Sequence, residues 1–482
     1  MYNQPTHHET VLIGNTSTMT SSSPFPNPDR RNPKPLVGQI GQDIEDRIRS
    51  GVLRRGERLP SIRRMARQCG VSTITVANTY LRLATAGLLE SRGTRGYFVT
   101  GPAPETPMLQ RSIDSMWLLQ HAYEDEAPVI KAGCGWLPSD MLFTSAAQRA
   151  LTGLSAQKLA SMLEYGNPYG HAGLRHNIRQ MLARRDIGCE ESSIILTHGA
   201  SQALELAVRC LSTRGDTILV EDPGYCNLYP ALQALGLQIA SIPRLRDGPC
   251  PEQLERIIRQ YQPRLFITTS ILHNPTGTCS TAQNMHDVLR IARQNNVTVI
   301  EDDIFLDLAP NGQQTLSQLG GLKTVIHIGS FSKTIGPGLR VGYVACDPDT
   351  AQRILRQKMA SNLTTAPLNE EIVHNIVSSG LYHPHLAHLR ESLMRAQARV
   401  CARLEQVGMQ LYFHPAGGMF AWARFREDMD VRALAERACS YDIMLAPGHL
   451  FRPDEQPSQW FRFNVAHADN PRLFAFLENI KN

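Results

Sequence analysis

The chain has 482 residues, 42% apolar and 19% charged, with a formal net charge of +5 and ten cysteines. That length exceeds what one hydrophobic core usually supports, so at least two domains are expected. No apolar run reaches the roughly 18–20 residues of a membrane-spanning helix, the amino terminus lacks the pattern of a secretory signal, and the cysteines show neither CxxC pairing nor metal-ligand spacing. A reduced, cytoplasmic setting with no membrane and no metal is the expectation.

Residues 1–32 are rich in Ser, Thr, Asn and Pro and predict a disordered tail. The next segment concentrates the charge. Residues 31–100 hold 13 Lys/Arg against 5 Asp/Glu, a local +8, while the remainder sums to −3. Such a concentration points to a polyanionic partner. Leu36, Ile40, Ile44 and Ile48 recur every four residues and predict a helix that stops before Gly51. Ser61 is placed to cap a second helix that ends at Gly70. Ser72 is placed to cap a third, with Val76, Tyr80 and Leu83 on its inner face. The tight Gly70-Val71-Ser72 turn between two short helices is a helix-turn-helix signature. LLESRGTRGYFV then reads as two strands around a Gly-rich tip, a wing bearing Arg92 and Arg95. Residues 101–128 begin Pro-rich and end acidic, which predicts a linker containing a short helix at SIDSMWLLQHAY.

From about residue 129, β-branched runs alternate with helical segments. SIILTHG, TILVEDPGY, RLFITTS, VTVIEDDIF and VIHIGSFSK predict the strands of an α/β domain with a largely parallel sheet. Sites in such sheets lie beyond the carboxyl ends of the strands. In HGASQAL, a strand runs into a helix start whose amides, with the Ser201 hydroxyl, suit a phosphate. Tyr225 offers a flat face, and Asn274 a donor for a ring oxygen. Asp302 suits a pyridinium nitrogen. Lys333 suits covalent attachment of a carbonyl cofactor, with Ser330 and Arg340 closing on its phosphate. Each alone reads as a turn, an acidic loop or a surface lysine; their order along successive strands points to one cofactor.

Residues 35–99 resemble GntR-type winged helix-turn-helix domains through PLVGQI, SGVLRRGERLPS, GVS and AGLLESRGTRGYFV. The resemblance implies DNA contacts from Arg63 and Arg64, from Ser72, Thr73 and Thr75 at the start of the recognition helix, and from Arg92, Gly93, Thr94 and Arg95 in the wing. The chain departs from the pattern at Thr73, where an arginine often follows GVS, and at the uncharged Ala77 and Asn78. That shifts phosphate contacts toward Arg63, Arg64 and the wing.

From Val129 onward the chain resembles fold-type I, pyridoxal-phosphate-dependent aminotransferases, and with the winged module it is similar to the MocR subfamily of GntR regulators. The resemblance implies a winged domain at 33–100, a large subdomain at about 170–355, and a small one at about 356–482 plus 129–165. Pyridoxal phosphate is then carried on Lys333, with Asp302 at its ring nitrogen, Asn274 at its ring hydroxyl and Tyr225 stacked on the ring. Ala200, Ser201, Ser330 and Arg340 hold its phosphate. Tyr165, in EYGNPYGHAGLR, reaches the cofactor of the neighbouring subunit in a homodimer. Arg462, in WFRFNVAH, grips a substrate carboxylate. One departure bears on chemistry: the family's E-D-D-Y tyrosine is replaced by Ile304, and Phe305 has no hydroxyl either. The function implied is a transcriptional regulator that binds a double-stranded operator and senses pyridoxal phosphate, an amino compound or both, with weak transaminase activity allowed. The alternative is a cytosolic aminotransferase with an accessory DNA-binding domain.

Overall fold

The computed structural model describes residue 25 and residues 28–29, 35–49, 52–53, 56–85, 88–100 and 130–480. The linker, its expected helix and most of the predicted tail lie outside these. The chain divides into two compact units, Met1–Ser112 and Ile113–Asn482, each described by itself.

In the first unit, α1 (Leu36–Arg49), α2 (Ile62–Gln68) and α3 (Thr73–Thr85) precede strands β1 (Leu89–Ser91) and β2 (Tyr97–Val99). Ile40, Ile44 and Ile48 share one core with Val76, Tyr80 and Leu83, as the four-residue repeat predicts. Both expected caps form: Ser61 Oγ accepts from the Arg64 amide at 3.3 Å and Ser72 Oγ from the Thr75 amide at 3.1 Å. Tyr80 is fully buried and donates to the Pro60 carbonyl at 2.9 Å, which fastens α3 beneath the start of α2. The wing is an antiparallel pair with Leu89 opposite Val99, and Arg58 adds a single bridge to Phe98. One expectation needs correction. Phe25, assigned to the tail, is only 8% exposed and packs into this core, with the Arg47 guanidinium 4.6 Å from its ring centroid. Asp29 exchanges two hydrogen bonds with the Gln39 side chain. An aromatic ring left in water would forfeit about 1.5–3 kcal/mol of burial, which is why this piece of the Pro-rich stretch folds back.

The second unit is a three-layer α/β body with a smaller sheet beside it. Its large sheet comprises β3 (Ile194–Thr197), β4 (Thr217–Asp222), β5 (Gln238–Leu245), β6 (Gly248–Pro249), β7 (Leu265–Thr268), β8 (Thr298–Asp302), β9 (Val325–Ser330) and β10 (Gly342–Ala345), in the order β3-β10-β9-β8-β7-β4-β5-β6. The pairs β9-β8, β8-β7, β7-β4 and β4-β5 are parallel, whereas β10 runs antiparallel to both β3 and β9. The expected largely parallel sheet is there, with β5, β6 and β10 added to the five strands that the sequence predicts. Alternate residues fill opposite cores, Ile195, Val220, Ile300 and Ile328 on one face, Leu196, Leu219, Phe266 and Val325 on the other. Burial on both faces makes these strands continuous apolar runs.

The small antiparallel sheet comprises β11 (Met409–Leu411), β12 (Phe420–Phe425), β13 (Ala446–Pro447) and β14 (Trp460–Asn464), in the order β11-β12-β14-β13. Ile130 makes an isolated parallel bridge to Ile443, just ahead of β13. The predicted subdomain boundary needs correction. Ala146, Ile372, Val373 and Ile376, from the helices Thr144–Thr152 and Pro367–Ser378, share a core with β3 and β10, so these helices cover the large sheet. The small subdomain therefore begins near the long helix Tyr382–Gln406. Among the described residues, no helix is long and apolar enough to cross a membrane.

Candidate cofactor site and nucleic-acid interface

The carboxyl ends of β3, β4, β8 and β9 open on a cavity of about 640 Å³, closed on its far side by the small subdomain. Its lining brings together Ala200, Ser201, Tyr225, Asn274, Ser330, Lys333, Arg340 and Arg462, eight of the residues predicted for this site. Asp302, the last residue of β8, lies behind them and is 6% exposed. Tyr165 is not in the lining and is 84% exposed.

Two glycines set the phosphate end. Gly199, with φ +75, begins the helix Gly199–Leu211, and a Cβ there would come 2.7 Å from Arg340 Nη2. A Cβ on Gly342 would come 2.6 Å from the Gly199 carbonyl carbon and 2.8 Å from the Ala200 nitrogen. The backbone approach that exposes the first amides of this helix therefore requires glycine at both places. Arg340 donates to the His198 carbonyl at 2.9 Å, and Ser330 donates to Ser332 Oγ at 3.0 Å. Together they form one polar rim.

At the other end, Lys333 Nζ donates to the Gly135 carbonyl at 2.6 Å. Burial, with the Arg462 charge acting in the same direction, pushes its ammonium down to about 8. A neutral amine is therefore accessible near neutral pH, as a nucleophile requires. Burial pushes the Asp302 carboxyl up to about 7 against the pull of Lys333, and its Oδ1 has no hydrogen-bond partner. Tyr225 accepts from Asn227 Nδ2 at 3.2 Å, and burial raises its phenol to about 12, so it stays neutral.

Arg462 is 3% exposed and sits 4.7 Å from the ring centroids of both Phe420 and Phe451. It donates to the Gly133 carbonyl at 2.6 Å and to Asn274 Oδ1 at 2.8 Å, and its Nε has no partner. Its bond to Oδ1 fixes the Asn274 amide, leaving Nδ2 as a donor to the cavity. No carboxylate pairs with Arg462 among the described residues, so the guanidinium is available to an incoming acid. At the position of the missing phenol, Ile304 lines the cavity and buried Phe305 packs edge-on against Phe420, 5.9 Å from Lys333 Nζ.

In the winged unit, Arg63, Arg64, Ser72, Thr73, Arg92, Gly93 and Arg95 are exposed and Thr75 is half-exposed. Thr94 lies in the one-turn helix Gly93–Arg95 at the wing tip. Ser72 and Thr75 also join their hydroxyls at 2.8 Å, so the cap and the first reading turn are one unit. Arg92 is held by Glu90 at 3.0 Å and lies 4.8 Å over the Phe98 ring, whereas Arg95 has no ion-pair partner among the described residues. Ile74, absent from the sequence prediction, projects from this turn with 71% exposure.

The model of class I and II aminotransferases matches residues 137–480. The chain belongs to that family. The model of gntR-family bacterial regulatory proteins matches residues 36–99, and the two modules in this order are the MocR arrangement. The chain is 28% identical over 442 residues to YdcR of Escherichia coli (strain K12), an uncharacterized HTH-type transcriptional regulator, covering 89% of this chain and 94% of the relative. It is 28% identical over 353 residues to the 2-aminoadipate transaminase of Thermus thermophilus, covering 71% of this chain and 87% of the enzyme. The crystal structure of LysN, an alpha-aminoadipate aminotransferase from Thermus thermophilus complexed with N-(5'-phosphopyridoxyl)-L-leucine, superposes with a TM-score of 0.69. That match covers 77% of this chain and 96% of LysN at 23% identity.

Within this frame, sequence reasoning overlooked the segment Gly133–Trp136. Its carbonyls receive Lys333, Arg462 and Asn464, and Cys134, Gly135 and Trp136 line the cavity. The glycine pair in AGCGW was the available signal, because a Cβ on Gly133 would come 2.4 Å from the Ala446 nitrogen.

Proposed function

We propose that this chain is a DNA-binding transcriptional regulator whose aminotransferase-like half binds pyridoxal phosphate on Lys333 and senses that cofactor, an amino compound or both. The observation that carries the cofactor assignment is Asp302. A buried carboxylate oxygen with no partner is costly, and a pyridinium ring nitrogen is the group that would satisfy it. The glycine-shaped cradle at Gly199 and Gly342, with Arg340 and Ser330 on its rim, supports the phosphate at the opposite end. Bound there, the cofactor supplies a carbonyl for the lysine and an electron-withdrawing ring. The protein's part is to hold Lys333 partly neutral, to orient Asn274 through Arg462, and to offer Arg462 to a carboxylate. Tyr165, exposed on its own subunit, suits the role of completing a neighbour's site in a homodimer. In the winged unit, the capped recognition turn and the exposed Arg63, Arg64 and Arg95 support operator binding in the cytoplasm.

A second reading, aminotransferase catalysis, is favoured by Arg462, which no acid among the described residues occupies. Ile304 argues against fast turnover, because it donates no hydrogen bond to the cofactor oxygen. The direct test is to add pyridoxal phosphate, reduce with borohydride and map the adduct. Attachment to the peptide containing Lys333, lost in Lys333→Ala, is the expected result. A wild-type protein that takes up no cofactor under these conditions overturns the assignment.

A further inference from the structure

A second cavity of about 450 Å³ lies on the seam between the large and small subdomains and shares no lining residue with the cofactor cavity. Its volume falls within the range of small-molecule sites. Three arginines converge on it: Arg244 from β5, Arg256 from the helix Pro251–Tyr261, and Arg452 from the small subdomain. Tyr412, Trp422 and Trp460 form its aromatic wall, with Trp422 and Trp460 stacked at 6.1 Å and Tyr412 edge-on to Trp460.

Among the described residues, the ion pairs around the cavity leave one of its three arginines without a carboxylate. Arg244 pairs with Glu221 at 2.7 Å, and Arg452 pairs with Asp222 at 3.2 Å and with Asp454 at 3.5 Å. Arg256 has no ion-pair partner among the described residues. Arg244 is itself fully buried, and after its bonds to Glu221, the Thr269 carbonyl and Thr278 its Nη2 remains without a partner. A buried guanidinium nitrogen on a lining residue thus lacks an acceptor, and a planar oxyanion that reaches it matches its geometry.

We propose that this cavity is a second ligand site, for a small aromatic oxyanion, with the anionic group on Arg244 and Arg256 and the ring against the Tyr412–Trp460 wall. The site also has a means of being felt elsewhere. The Asp222–Arg452 pair spans the seam, and Tyr229 and the Gly224 amide both donate to the Phe451 carbonyl, at 3.0 and 2.9 Å. Tyr225 lies three residues beyond Asp222, and the Phe451 ring lies against Arg462. Occupancy of the seam therefore bears on the placement of Tyr225 and Arg462.

The test uses the full chain loaded with pyridoxal phosphate, titrated with phenyl phosphate, benzoate and inorganic phosphate. Tryptophan fluorescence reports the seam, and visible absorbance of the bound cofactor reports the first site. Saturable quenching by phenyl phosphate or benzoate is expected, with inorganic phosphate weaker because it lacks a ring. Arg256→Glu, on an exposed side chain, should weaken that binding by about tenfold or more and leave the cofactor absorbance unchanged. Arg462→Lys should leave the seam binding in place, which separates it from carboxylate capture at the cofactor. No saturable quenching, equal binding by Arg256→Glu, inorganic phosphate binding as well as phenyl phosphate, or loss of binding in Arg462→Lys would each overturn the proposal without touching the cofactor assignment.

Discussion

Asp302→Asn separates the requirements of the fold from those of the cofactor. Burial raises the Asp302 carboxyl from 3.8 to about 7, with Lys333 opposing the shift. A shift of that size corresponds to about 4 kcal/mol against the ionised form in the folded protein. The sign follows from linkage. Below the unfolded value the group is neutral in both states and costs nothing. As pH rises toward about 7 the unfolded chain ionises first, so stability falls, and above that the full penalty applies. Asparagine removes the charge but leaves an amide where Oδ1 has no partner, at a cost of about 1–3 kcal/mol. Cofactor-free Asp302→Asn should therefore be more stable than wild type by about 1–3 kcal/mol near pH 8, and the gain should vanish toward about pH 5. Urea melts followed by tryptophan fluorescence measure this. Pyridoxal phosphate should reverse the ranking, because its ring cation compensates the carboxylate only in wild type, and affinity in the variant should drop by about a hundredfold. A cofactor-free variant less stable than wild type near pH 8, or equal protection of both by the cofactor, would refute the reasoning.

Four further outcomes are expected. Gly342→Ala should cost about 1–3 kcal/mol by overpacking and weaken cofactor binding, measured by absorbance titration, because its methyl would press on Gly199 and Ala200. Covalent capture of pyridoxal phosphate should rise with pH through about 8, the value to which burial lowers Lys333, and not near that of a free lysine. Arg63→Ala or Arg95→Ala should weaken operator binding and reduce its logarithmic salt slope by about one, read by fluorescence anisotropy at several salt concentrations; Arg92→Ala should change it less, since Glu90 already holds that guanidinium. Tyr165→Phe should lower cofactor affinity in a protein that sediments as a dimer.

The cofactor site was legible because its chemistry sits in local signals. β3, β4, β8 and β9 are short apolar runs, and each turn or helix start after them carries a recognisable group, from Ser201 to Lys333. What stayed hidden depends on long-range pairing. β10, Gly342–Ala345, runs antiparallel between β3 and β9, a pairing that local sequence does not carry, and β5 is interrupted by Pro243 and the buried Arg244. The helices at 144–152 and 367–378 have apolar faces that would suit either sheet, so their assignment needed the packing itself. Gly133–Trp136 acquires its role only when β13 and β14 arrive some 310–330 residues later. The winged module was read correctly through its caps, while Phe25 was passed over because its neighbours are polar and proline-rich.

The measurement that bears most directly on the account follows operator affinity and transamination in one preparation, with and without pyridoxal phosphate and a panel of amino acids and amines. A sensor requires a coupling free energy between the two modules, commonly about 1–3 kcal/mol, so cofactor or ligand should change operator affinity by about 5–150-fold. Turnover in the same samples should fall well below the roughly 10 s⁻¹ typical of enzymes. Operator affinity indifferent to cofactor and ligands, together with rapid turnover on a common keto acid, would contradict the regulator reading and leave an aminotransferase.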